Sequence, residues 1–75
     1  MIIVIDRPTD KNPEYSAWTA DNPNGVILGT GLTVDEAKDD LDNYIKELED
    51  IEEFKNNTEF KEYLSGEKYY YLALE

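Results

Sequence analysis

Residues 15–37 spell out a strand, a turn, a second strand and the capped start of a helix, with almost no residue to spare. Residues 14–20 alternate, placing Tyr15, Ala17 and Thr19 on one face of a strand and Ser16, Trp18 and Ala20 on the other. Asp21-Asn22-Pro23-Asn24-Gly25 is a turn, and Asn24-Gly25 is a strong hairpin signal. Val26, Ile27 and Leu28 form the returning strand, which Gly29 and Gly31 end and bend toward the helix. Thr33-Val34-Asp35-Glu36 then reads as a capping box: the Thr33 hydroxyl accepts from the Glu36 amide while the Glu36 carboxylate reaches back to the Thr33 amide. Asp35 and Glu36 also complement the positive end of the helix dipole.

Beyond the cap, Val34, Ala37, Leu41, Tyr44, Ile45, Leu48 and Ile51 recur at steps of three and four, one apolar stripe down a long helix. The pattern resets at Asn56-Asn57-Thr58, where Thr58 caps a short second helix carrying Phe60, Tyr63 and Leu64 and stopping at Ser65-Gly66. Upstream, residues 2–6 are a β-branched run, apolar on both faces, that belongs inside a sheet. Residues 7–13, with two prolines, are a loop. Residues 69–74 are aromatic, apolar and free of proline, and close the chain as a last strand. The expectation is a single α+β domain over residues 1–75 in the order β-β-β-α-α-β. It is a two-layer sandwich: a three- to four-stranded, mainly antiparallel sheet with one long and one short helix on one face. Val34, Ala37, Leu41, Ile45 and Leu48 should be buried together with Ile3, Ile27 and Leu72.

A 75-residue domain buries only roughly 60% of the surface of its unfolded chain, so regular structure or association must support its core. Six tyrosines suit half-buried positions with one apolar side and one wet end. The net charge of −11 repels phosphates and makes direct nucleic-acid binding unexpected. A basic protein is the complementary partner. The first residues lack the basic region and longer apolar core of a signal peptide and are too short to span a membrane, which points to the cytoplasm.

The chain has no cysteine and no histidine, so thiolate ligands, disulfides and the commonest general base are all missing. Asp35, Asp39 and Asp42, with Glu36 and Asp40, fall at helical steps, but a helix face of carboxylates without a calcium-loop pattern is a solvated face, not a metal site. Asp6 closes the first strand, where ribonuclease-H-like nucleases hold metal ions. The further carboxylates that such chemistry requires are not clearly supplied, and Asp6 reads as a strand terminator. Neither Ser16 nor Ser65 sits in a nucleophile elbow, and Gly29-Thr30-Gly31 lacks the third glycine or following lysine of a phosphate cradle. The chain reads as non-catalytic and free of cofactors. Its aromatics point to binding instead: Tyr15 opposes Trp18, and Tyr69 and Tyr71 oppose Tyr70, so some must lie on an uncovered face or edge.

The pattern resembles the HicB-like antitoxins over roughly residues 2–48. Tyr15-Ser16-Ala17 is similar to the opening of the family's second strand. Asp21, Pro23 and Gly25 resemble its Pro-Asp-x-Pro-Gly turn, with Asn24 as an insertion and Ala20 in place of the first proline. Gly31-Leu32-Thr33-Val34-Asp35-Glu36-Ala37 matches its Gly-x-Thr-x-x-Glu-Ala helix entry most closely. The resemblance implies a partial ribonuclease-H-like fold without nuclease activity and, as partner, a ribonuclease toxin that cleaves messenger RNA. It departs from full antitoxins in having no C-terminal DNA-binding domain before Glu75, so operator repression through such a domain is not expected. On this reading Tyr15 and Trp18 anchor the toxin, while Asp35, Asp39, Asp42 and Glu49 face its basic surface. The competing readings are a homo-oligomeric scaffold or phage accessory protein and, more remotely, an acidic mimic of nucleic acid. A homodimer is expected, because a proline-free, uncharged terminal strand at an edge lacks protection against pairing.

Overall fold

In the computed structural model, which describes residues 1–23 and 25–73, the chain forms β1 (Ile2–Asp6), β2 (Tyr15–Thr19), β3 (Leu28–Gly31), α1 (Val34–Glu49), α2 (Thr58–Ser65) and β4 (Tyr69–Leu72). A 3-10 turn at Glu52–Phe54 links the helices. The strands make one four-stranded mixed sheet in the order β3-β2-β1-β4. β1 and β3 both pair antiparallel with β2, and β4 runs parallel to β1. β3 and β4 therefore point the same way, and α1 and α2 provide the crossover that such a connection requires. This is the expected α+β order, with β1 inside the sheet.

Glycine, not bending, explains how the layers meet. β3 includes Gly29 and Gly31 rather than ending at them, and both lie on its covered side. A Cβ on Gly29 would stand 2.7 Å from the Leu41 Cα, and one on Gly31 would stand 2.6 Å from the Ala37 amide nitrogen. The helix backbone rests directly on the strand there, closer than any side chain permits. The corresponding sequence expectation, a strand over residues 26–28 closed by the glycines, is corrected accordingly.

The core joins Ile3 and Ile5 of β1, Ala17 of β2 and Ile27 to Ala37, Leu41, Ile45 and Leu48 of α1, with Phe60 and Leu64 from α2. Thr19, buried in the same layer, accepts a hydrogen bond from the Ile27 amide at 2.9 Å. Three expected core members lie outside. Leu72 is 45% exposed because α1 lies mainly against β3 and β2 and reaches β4 through the Lys38 side chain, over Tyr70 and not over Leu72. Tyr44, 47% exposed, follows Glu36 and Asp40 on the flank of the helix that overhangs the outer edge of β3. Ile51 lies beyond the C-cap, Asp50.

The caps differ from expectation in detail. The Thr33 hydroxyl accepts from the Glu36 amide at 3.1 Å, but the Glu36 carboxylate takes the Leu32 amide, at 3.3 Å, instead of that of Thr33. The second helix is capped by the Asn57 side chain, which accepts from the Phe60 amide at 3.1 Å, and Thr58 is its first residue. Gly25 adopts φ 113°, as its turn demands. Asn24 and residue 74, parts of the expected turn and last strand, lie outside the described residues.

Candidate functional site

Strand alternation divides the sheet into two unlike faces. Ile3, Ile5, Ala17, Thr19 and Gly29 point into the helix layer, so their neighbours along each strand point the other way, where none of the described elements covers them. The strand register places Leu28 beside Trp18, Trp18 beside Val4 and Val4 beside Tyr71. These four residues form one apolar row across the uncovered face, through every strand. Ile2 and Tyr69 form a shorter row next to it.

The row is half-buried at its centre, Val4 and Trp18, and open at its ends, where Leu28 is 49% and Tyr71 57% exposed. The Trp18 indole donates its Nε1–H to the Asp6 carboxylate at 2.9 Å, which fixes the ring across the sheet. Asp6 thus does more than end a strand: it orients the largest side chain of the open face. The row gathers aromatic and aliphatic side chains on one partly exposed surface.

The residues singled out from the sequence do not all meet. Trp18 lies in the middle of the apolar row. Tyr15 pairs opposite Gly31 on the helix-facing side of the sheet and packs against the core. Asp35, Asp39 and Glu49 are exposed on α1, in the layer behind the sheet. Asp42 is half-buried on the same helix and bonded to the Lys68 ammonium at 2.6 Å. The aromatic anchor and the helix carboxylates therefore occupy opposite layers. Val4, Leu28 and Tyr71 were missed. Strand order and register, which no local pattern carries, align them with Trp18.

A second polar cluster holds the fold near the start of β1. One oxygen of Asp21 accepts from the Ile2 amide at 2.9 Å and from the Tyr63 hydroxyl at 2.5 Å. The Tyr63 bond, then the Ile2 bond, holds the Asp21 carboxyl below its ordinary value. Burial, reinforced by Asp21, pushes the Tyr63 hydroxyl well above its own. This clasp joins α2 to the sheet.

A polar cleft of about 320 Å³ opens at the end of β1 beside Asp6, Arg7 and Glu14. Among the described residues, no group of three or more acidic, histidine or cysteine side chains is placed to hold a metal ion. None of the described helices is long and apolar enough to cross a membrane. Set against protein-family models, curated proteins and solved structures, the chain gives no match.

Proposed function

We propose that this chain is a non-catalytic binding domain of the HicB-like antitoxin kind, which neutralises a basic, messenger-RNA-cleaving protein in the cytoplasm by covering its RNA-binding surface. The observation that carries the reading is the row of Leu28, Trp18, Val4 and Tyr71 on an uncovered sheet face, in a chain of net charge −11. The helix entry from Gly31 to Ala37 adds sequence support. The order β3-β2-β1-β4, with β4 parallel to β1, is compatible with the partial ribonuclease-H-like fold that the resemblance implies.

The two features have separate tasks. The apolar row excludes water at the centre of the contact and so slows release. The carboxylates of α1, behind the sheet, act through the field of the whole molecule and speed encounter with a positive partner. Asp35 and Asp39 are better placed for this than Asp42, whose charge is engaged by Lys68. Trp18→Ala should speed dissociation about tenfold, as the loss of a central aromatic anchor does. Neutralising Asp35 and Asp39 should instead slow association and flatten its salt dependence.

The deciding experiment is co-expression with the product of the adjacent gene, followed by purification of the pair. Growth rescue together with a stable complex supports the reading. If neither appears, the reading is wrong.

A further inference from the structure

We infer that the free edge of β4 pairs with the same edge of a second copy of the chain, antiparallel and centred on Tyr71. The Tyr69 and Ala73 amides donate to the Met1 and Ile5 carbonyls at 2.9 and 2.8 Å, so these alternate residues turn toward β1. In a parallel ladder the residues between them face the other way, which directs the N–H and C=O groups of Tyr70 and Leu72 outward. All residues of β4 are exposed, and the strand has neither the charge nor the proline that guards an edge.

The outward groups are self-complementary. With a two-fold axis at Tyr71, Tyr70 of one copy faces Leu72 of the other, and both such pairs exchange backbone hydrogen bonds. The Tyr71 side chains meet at the axis as a non-hydrogen-bonded pair, the position at which side chains approach most closely. The apolar row of Leu28, Trp18, Val4 and Tyr71 then continues through the second copy without a break. On the helix-facing side, Tyr70 packs against Leu72 of the second copy.

Local charge favours this occupant over a basic strand. Lys38 stands over the Tyr70 ring, 4.4 Å from its centroid. A positively charged segment on this edge would meet this lysine, whereas β4 of a second copy brings no charge of its own. The inference concerns the sheet edge and stands apart from the proposed capture of a basic ribonuclease on the sheet face. Salt separates the two: dimerisation of copies carrying −11 each should strengthen as salt screens their repulsion, and a complex with a basic protein should weaken.

Sedimentation equilibrium of the intact chain across the micromolar range tests it, with amide exchange as the local readout. A dimer is expected, tighter at higher salt, with the Tyr70 and Leu72 amides slowing as concentration rises while that of Thr30 does not. Tyr71→Lys and Tyr71→Glu change a side chain that is 57% exposed, so circular dichroism should report an unchanged fold. Each places like charges opposite one another and should weaken association at least about tenfold. Mixing the two variants should restore it, since opposite charges then meet at the axis. A monomer at every concentration and salt, a dimer indifferent to both variants, or a mixture that fails to associate would each overturn the inference. So would occupation of this edge by a basic partner alone.

Discussion

The two edges of the sheet are built on opposite principles. At β3 the edge is sealed. The Thr30 amide donates to the Asp40 carboxylate at 2.9 Å and the Leu32 amide to that of Glu36 at 3.3 Å. These carboxylates lie one helical turn apart on α1, which leans over the strand because Gly29 and Gly31 let its backbone in. At β4 the helix layer stands back, and the strand is tied to the body by polar contacts. The Met1 ammonium donates to the Glu67 carbonyl at 2.9 Å, Lys68 bonds Asp42, and the Asp21 clasp secures α2 just upstream. Acidic residues that pass for a solubilising coat thus have distinct tasks: two of them close an edge. One edge is closed by carboxylates of α1, and among the described residues the other has no such cover.

The sharpest test of that contrast uses a single cross-strand row, Gly29, Ala17, Ile5 and Leu72, whose two ends lie on the two edges. Gly29→Ala drives a methyl into helix backbone and should cost about 3 kcal/mol, a large share of the stability of so small a domain. Leu72→Ala, at the open end, should cost less than about 1 kcal/mol in the monomer. Urea denaturation of both variants at low concentration, where self-association does not contribute, measures the difference. Equal losses would break the comparison.

A smaller effect, about 1 kcal/mol, is expected from Tyr63→Phe, since the hydrogen bond it removes ends on a carboxylate open to solvent. Its pH signature is more telling. The folded-state value of Asp21 is lowered, so its contribution is present above its ordinary value of 3.8 and is lost as pH falls through the folded value. The value of Tyr63 is raised, so its contribution is present below its ordinary 10.0 and is lost as pH rises through the folded value. The clasp should hold between these limits and loosen beyond either. Tyr63→Phe should reduce both losses, leaving at alkaline pH the share of Tyr69 and Tyr70, whose hydroxyls are also raised, and at acid pH the share due to the Ile2 bond. Amide exchange at Tyr69 and Tyr71 should accelerate before that at Gly29 and Gly31. Simultaneous acceleration at both edges would refute a β4 held mainly by titratable ties.

The smallest effect belongs to Lys68→Ala. Its ion pair with Asp42 is partly exposed, so the loss should be a few tenths of a kcal/mol and should vanish at high salt. A change that persists in salt would mean that the lysine stem, rather than its charge, holds β4 in place.

Most of the element order was legible because it rests on short-range chemistry. Thr33 with Glu36 announced the start of α1, and alternation marked β2. The helix period correctly selected Ala37, Leu41, Ile45 and Leu48, yet it extended the stripe to Tyr44 and Ile51, which the sheet does not cover. The site was less legible. Trp18 could be read as an outward aromatic, but nothing local distinguishes Tyr71, opposite Val4, from Tyr70, near Lys38. The glycines misled in an instructive way: a weak Gly-x-Gly signal, read as a bend, is a seat for the helix.

The sequence by itself determined the order of strands and helices, and how much negative charge they carry. Periodicity, capping and composition act over a few residues and need no distant partner. Only the tertiary structure decided which edge is sealed, which carboxylates close it and which aromatics line the open face. Those outcomes depend on where α1 crosses the sheet. That crossing is set by close contact of Gly29 and Gly31 with Leu41 and Ala37, backbone against backbone, between segments whose own patterns do not specify the meeting.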